Sequence, residues 1–104
     1  MQVVFHIDDV ERWGRVRANV QNLLKETLTI QIVITANSDA VKGYLLEDNQ
    51  TFIADTPIAF HACRNALRGQ AIAEEQLPQQ VTVVPAGVLD LVELQTKGYS
   101  YIKV

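Results

Sequence analysis

The sequence predicts an α/β protein, a three-layer α/β/α sandwich with a five-stranded, mainly parallel sheet. Five short apolar or β-branched segments alternate with four segments of helical periodicity along the chain. The first of these segments, residues 2–7, is almost continuously apolar, which is typical of a strand covered on both faces. Right-handed crossovers then place helices on both sides of the sheet. With 104 residues, the chain has room for one core, so residues 1–104 are predicted to form a single domain.

The first strand leads into a helix predicted over residues 9–26. Asp8, with Glu11 three residues later, resembles a capping box at its start. The apolar residues of this segment recur at three- and four-residue spacing, as in an amphipathic helix: Val10, Trp13, Val16, Val20, Leu23 and Leu24.

The second strand is predicted over residues 29–35, which are rich in β-branched side chains. Asn37 and Ser38 offer N-caps to a helix that runs through Val41 and Tyr44 and is weakened by Gly43. Residues 47–56 are polar apart from two apolar side chains, and they are compatible with a loop, a short extra turn or a mobile flap.

The third strand, predicted over residues 58–61, leads into a helix that begins at or near Cys63 and stops at Gly69. A short helical turn follows at 73–77, and the fourth strand is predicted at 81–84. A helix opened by Pro85 and closed before Gly98 is expected to carry Val88, Leu91, Val92 and Gln95. Residues 99–104 alternate in polarity and are predicted to form an edge strand.

Cys63 is the only cysteine in the chain, and Arg64 follows it directly. A thiol at a helix N-terminus lies among backbone N–H groups without intrahelical partners, and a neighbouring cation further favours its thiolate. The same residue is also compatible with a small buried hydrophobe, as free cysteines often are. Its place at the carboxyl end of a parallel strand favours function, since open α/β sheets bind ligands there.

Two histidines accompany this thiol. His61 lies two residues before Cys63 and is a candidate to exchange a proton with it. His6 and His61, together with Asp8, have the residue types of a metal site, but their spacing favours hydrogen-bonded histidines within strands.

Several function classes are disfavoured by composition. No glycine-rich phosphate loop occurs, which argues against nucleotide binding. The net charge of −3 and the scattered basic residues argue against nucleic acid. The sequence shows neither a signal peptide nor an apolar run long enough for a membrane span, so we expect a protein of the reducing cytoplasm.

The chain resembles the small stand-alone branch of the DsrE/DsrF-like (DsrEFH-like) proteins. The resemblance covers nearly the whole sequence and rests on the segments FHIDD at 5–9, ERW at 11–13, ACRNAL at 62–67, VVPAGV at 83–88 and GYSYIK at 98–103. It implies a flavodoxin-like three-layer architecture, homo-oligomers, and sulfur relay without a metal or organic cofactor. In that family a cysteine after the third strand accepts sulfane sulfur as a persulfide, and Cys63 matches that position.

The resemblance therefore implies a persulfide carrier or sulfurtransferase that takes sulfur from one protein and passes it to another. We expect Cys63 to carry the sulfur, and we add His61, Arg64 and Asn65 as substrate-binding candidates because of their proximity. The alternatives are a non-enzymatic interaction or small-ligand-binding module with a structural Cys63, and a thiol redox sensor.

Overall fold

The computed structural model describes all residues, Met1–Val104, and contains five parallel strands. The strands are β1 Gln2–Ile7, β2 Gln31–Ala36, β3 Ala59–Cys63, β4 Val81–Val84 and β5 Ser100–Lys103. They lie in the order β4-β3-β2-β1-β5, and every neighbouring pair is parallel. The predicted α/β class with a five-stranded sheet is confirmed, and β5 is an edge strand as expected.

Four α-helices and four short 3-10 helices connect the strands. The α-helices are α1 Trp13–Glu26, α2 Gln50–Asp55, α3 Arg64–Gly69 and α4 Gly87–Thr96. The 3-10 helices are Val10–Arg12, Ser38–Leu45, Glu47–Asn49 and Glu74–Gln76. No helix is both long and apolar enough to span a membrane.

The strand order explains why the sheet has two unequal faces. From β1 to β4 each crossover moves one strand further in the same direction, so right-handed connections place α1, α2 and α3 on one face. The connection from β4 returns past β1 to β5, and α4 therefore covers the opposite face. These two sides form the outer layers of the predicted sandwich.

The face under α1 holds the main core, a cluster of 18 buried residues that are all apolar. Three aromatic rings cross it in edge-to-face contacts: Trp13 lies 5.1 Å from Tyr44, and Tyr44 lies 6.4 Å from Phe60. The Tyr44 hydroxyl donates a 2.7 Å hydrogen bond to the backbone carbonyl of His61, which ties the core to β3. Burial raises the pKa of Tyr44 well above its ordinary value.

Gly43 allows the backbone to approach the Trp13 ring closely. A β-carbon at this position would lie 1.8 Å from the indole Nε1 of Trp13, and that Nε1 donates to the carbonyl oxygen of Ala40 at 2.8 Å. The helix predicted after β2 is the 3-10 helix Ser38–Leu45, and it packs directly on Trp13. Glycine at position 43 serves this close approach.

Capping at the first two connections differs from the prediction. Asp9, rather than Asp8, caps the first connection by accepting the backbone N–H of Glu11 at 2.9 Å. Asp8 instead forms a 2.9 Å ion pair with Lys103 of β5, and this hydrogen bond lowers the pKa of Asp8. Asn37 precedes the 3-10 helix Ser38–Leu45, but its side chain does not cap it.

Two further segments refine the predicted boundaries. The sequence of residues 47–56 was compatible with a loop, a short extra turn or a mobile flap. These residues form a 3-10 turn and α2, which buries Phe52 and Ile53. α4 begins at Gly87 rather than Pro85. Of the four residues that this helix was expected to carry, only Leu91 is buried, and Leu94 is its apolar partner.

Candidate functional site

Cys63 is the last residue of β3, two residues beyond the predicted strand end at His61, and it is the N-cap of α3. Its backbone is extended, at φ −70° and ψ 119°, and its side chain caps no N–H group of the helix. The residue is 6% exposed and is therefore buried. The thiol therefore lies beside the first turn of α3, where N–H groups have no intrahelical partner.

Gly87 brings the start of α4 against this cysteine. The point that a β-carbon on Gly87 would occupy lies 3.4 Å from Cβ of Cys63 and 3.0 Å from Cβ of Asn37. The Nδ2 atom of Asn37 lies 3.5 Å from the same point. A thiol, an amide donor and an uncapped helix start thus meet at the carboxyl ends of β2 and β3.

A chain of hydrogen bonds holds Asn37 in place. His6 Nε2 lies 2.9 Å from Asn37 Oδ1, and His6 Nδ1 lies 2.6 Å from the hydroxyl of Tyr101 on β5. With the amide oxygen accepting from Nε2–H, His6 Nδ1 accepts from the tyrosine hydroxyl. Asn37 Nδ2 then remains as a donor beside Gly87.

A second network of hydrogen bonds joins β2 and β3 to α4. The carboxylate of Asp90 on α4 accepts a 2.7 Å hydrogen bond from the Thr35 hydroxyl and contacts His61 Nδ1 at 2.8 Å. Burial of Asp90 favours its neutral form, but the hydrogen bonds from His61 and Thr35 outweigh this effect, and the pKa of Asp90 is lowered. Asp90 is therefore an ionised carboxylate paired with a histidine.

Strand register explains why these side chains share one face. His6, Thr35 and His61 are direct partners across β1, β2 and β3. Their chain neighbours Phe5, Ile34 and Phe60 belong to the main core, and successive side chains on a strand point to opposite faces. The histidines and Thr35 consequently form a polar row beneath α4.

The predicted site residues divide into two groups. His61 and Cys63 lie at alternate positions on the same face of β3. Arg64 turns away to form a 2.9 Å ion pair with Glu74, which raises the pKa of the arginine and lowers that of the glutamate. Asn65 lies exposed on α3. No contact joins either residue to the polar row.

Sequence reasoning missed Asp90, Thr35 and the bridging position of Asn37. Asp90 carried a readable signal, because Gly87, Asp90, Leu91 and Leu94 share the helical spacing of one buried face. An acidic residue on such a face calls for a buried partner. Thr35 carried none, because threonine is an ordinary strand former.

The three residues considered as metal ligands do not converge. His6 is bound to Tyr101 and Asn37, His61 to Asp90, and Asp8 to Lys103. No group of three histidine, cysteine or acidic residues is placed to hold a metal ion. The two surface grooves lie beside β5, between it and α1 or the N-terminus, and do not include Cys63.

No protein-family model and no curated protein matches the sequence. Among solved structures, the fold is similar to the ychN protein from E. coli, with a TM-score of 0.76, 12% identity and full coverage of both chains. It is also similar to MTH1491, a protein of unknown function from Methanobacterium thermoautotrophicum, with a TM-score of 0.84. That likeness extends to the sequence, at 32% identity over 99% of this chain and 98% of the other. On this identity over nearly its whole length, the chain belongs to the same family as the archaeal protein MTH1491.

Proposed function

We propose that this protein is a persulfide carrier of the DsrE/DsrF-like group, in which Cys63 accepts sulfane sulfur and passes it on. The observation that carries the proposal is the position of its only thiol, at the carboxyl end of β3 and between the starts of α3 and α4. N–H groups of a first helical turn and the positive end of the helix dipole favour a sulfur anion. Asn37 Nδ2, held by His6, adds a side-chain donor at the same place.

The transfer step needs no external oxidant or reductant. The Cys63 sulfur attacks the outer sulfur of a donor persulfide, a new S–S bond forms, and the donor's own S–S bond breaks. The donor leaves as a thiol after taking the proton that Cys63 lost, and Cys63 holds one additional sulfur atom. An acceptor thiol then repeats the same exchange on the Cys63 persulfide.

The small exposure of Cys63 fits a carrier that protects its cargo. At 6% exposure, the residue leaves little of its surface open to an approaching donor. Thiol exchange depends on access to the sulfur that is attacked. A persulfide held there would be shielded from most thiols in solution.

The carrier is proposed to work as a homo-oligomer. The outward side of α4 exposes three aliphatic residues, Val88 at 66%, Leu89 at 49% and Val92 at 60%. A second copy covering this surface would remove apolar area from water beside the site. Light scattering on the purified protein tests this point: Val92→Glu is expected to shift the molecular mass toward the monomer, and an unchanged mass would place the contact elsewhere.

The same burial supports a second candidate, a binding or assembly module in which Cys63 is a packing residue. A thiol covered by Gly87 and Asn37 would then be inert toward alkylating reagents. Alkylation of the native protein separates the two candidates, since a carrier must expose its sulfur to small reagents and a packing residue need not.

The decisive experiment is sulfur loading on Cys63. The native protein is incubated with a low-molecular-weight alkyl persulfide, and its mass is measured before and after treatment with an acceptor thiol. We expect a gain of one sulfur atom that the acceptor removes. Cys63→Ser should gain none while remaining folded, because serine is a favourable N-cap residue. Loading of this variant, or no loading of the native protein, would overturn the proposal.

A further inference from the structure

The most unusual group in the layer under α4 is the carboxylate of Asp90. It is 8% exposed, and the apolar cluster of this layer contains Leu91 and Leu94 of the same helix. Removing a carboxylate from water is costly unless hydrogen bonds compensate for its lost hydration. Its side-chain partners are Thr35, which is fully buried, and His61.

The charge on Asp90 determines which nitrogen of His61 carries a proton. An ionised carboxylate only accepts hydrogen bonds, so the 2.8 Å contact requires a proton on His61 Nδ1. Thr35 donates to the same oxygen and so helps to fix the orientation of the carboxylate. In the neutral imidazole, Nε2 is therefore a bare acceptor.

The free nitrogen faces solvent near Cys63. His61 Nε2 makes no hydrogen bond to the protein, yet no buried polar side-chain atom lacks a partner, so Nε2 is solvent-accessible. His61 and Cys63 lie on the same face of β3, about 6.6 Å apart along the strand, which corresponds to two residue rises. The imidazole and the thiol are therefore neighbouring side chains on one face of the sheet.

We propose that Asp90 and Thr35 are positioning residues that hold His61 with its proton on Nδ1, so that Nε2 manages the proton of sulfur transfer. Nε2 takes the thiol proton as the Cys63 sulfur attacks, and it returns that proton to the leaving thiolate of the donor. Atoms and electrons balance, because the imidazole ends the exchange as it began. This role rests on the proposed persulfide chemistry of Cys63, whereas the tautomer of His61 does not.

Nitrogen NMR of the histidine rings tests the tautomer directly. In the native protein at a pH where the imidazole is neutral, we expect the His61 proton on Nδ1 and an unprotonated Nε2. Asp90→Leu removes the acceptor and should move the proton toward Nε2. A native His61 protonated on Nε2, or a tautomer that Asp90→Leu leaves unchanged, would overturn the inference. If this variant fails to fold, the spectrum of the native protein alone still tests the tautomer of His61.

The initial rate of sulfur loading tests the role in chemistry. Asp90→Leu and His61→Gln should each slow loading by about 10²-fold, the usual contribution of a general acid–base group. Combining them should slow it no further, since both act through one imidazole. Thr82→Val is the matched control, because Thr82 is the register partner of His61 on β4 but makes no bond to Asp90.

The outcomes separate this inference from the proposed function. If the native protein loads no sulfur, the persulfide carrier itself is wrong. If the native protein loads sulfur and Asp90→Leu loads it equally fast, the carrier stands and the positioning role of Asp90 is wrong. Slow loading in Thr82→Val as well would show a general disturbance of β3 and would likewise contradict the specific role.

Discussion

The two faces of the sheet are built from the same strands but from opposite kinds of side chain. The face under α1 buries a cluster of 18 apolar residues, and the buried polar side chain beside it, Asn49, belongs to no strand. The face under α4 buries four apolar residues beside a row of hydrogen-bonded polar groups that includes Thr35 and Asp90. Adjacent residues of one strand therefore serve different purposes: Ile34 and Phe60 belong to the core, whereas Thr35 and His61 belong to the polar row.

This division shows how a small domain accommodates costly polar groups. Each buried polar atom must recover its lost hydration through hydrogen bonds, and the net gain from such bonds is small. The apolar face supplies the hydrophobic stabilisation that keeps the sheet folded. The face under α4, covered by one helix of ten residues, can then hold groups arranged for chemistry.

The largest effect is expected on the apolar face, from Phe60→Ala. Phe60 is 1% exposed and makes edge contacts with Tyr44 at 6.4 Å and Phe52 at 5.7 Å. The substitution should lower the free energy of unfolding by about 3–5 kcal/mol, measured by urea denaturation. Sulfur loading per folded molecule should stay unchanged. A loss below about 1 kcal/mol would show that this face is not the main source of stability.

On the opposite face, Asp90→Asn should produce a pH-dependent loss of stability of about 1–3 kcal/mol near neutral pH. The folded-state pKa of Asp90 lies below its ordinary value of 3.8. Its contribution is therefore present above pH 3.8 and is lost as the pH falls through the lower folded-state value.

Urea unfolding of both proteins between neutral and acidic pH measures this difference. The stability gap between the native protein and Asp90→Asn should narrow as the pH falls below 3.8. A gap that stays constant, or one that widens in acid, would show that the ionised carboxylate is not the stabilising form.

A smaller effect is expected beside the thiol, from Gly87→Ala. Gly87→Ala adds a β-carbon 3.0 Å from Cβ of Asn37 and 3.4 Å from Cβ of Cys63, so one of these neighbours must shift slightly. We expect sulfur loading to slow by about tenfold, equivalent to ~1.4 kcal/mol in the barrier.

Gly69→Ala is the control for that variant, because a β-carbon at position 69 meets nothing within 4 Å. It should load sulfur at the native rate. Equal rates in both alanine variants would show that the space beside Cys63 is not used in the reaction.

The smallest effect is expected at the sheet edge, from Lys103→Met. The ion pair between Lys103 and Asp8 measures 2.9 Å, but both side chains are about two-fifths exposed, at 40% and 43%. Solvent screening limits such a pair to about 0.2–1 kcal/mol, and salt should reduce the difference further. Thermal unfolding of the native protein and of Lys103→Met at low and high salt measures this stability difference. A difference that salt does not change would contradict a surface ion pair.

Much of the fold was readable from the sequence because hydrophobic periodicity reports burial directly. The apolar run of β1 and the three- and four-residue spacing of Trp13, Val16 and Val20 predicted elements that the structure contains. The helix start near Cys63 was also predicted, although β3 continues two residues beyond its predicted end at His61. Gly43 was misjudged, because its effect depends on an indole ring 30 residues earlier in the chain, which local propensity does not include.

The polar row was harder to predict because its members meet only through the sheet register. Thr35 and His61 are far apart in sequence and become partners on β2 and β3. Asp90 could have been suspected from its helical position beside Leu91 and Leu94, but the exposed valines of α4 gave a competing apolar pattern. Arg64 and Asn65 were predicted as substrate-binding residues because they follow Cys63 in the sequence. At the start of α3 both side chains turn away from the polar row.

One measurement tests most directly whether chemistry resides on the face under α4: the initial rate of sulfur loading on Cys63 in two adjacent variants of β2. Ile34→Val alters the apolar core and should cost about 0.5–1.5 kcal/mol of stability without changing the rate per folded molecule. Thr35→Val removes the hydroxyl bonded to Asp90 and should slow loading. Equal rates in the two variants, or slower loading in Ile34→Val alone, would contradict the account.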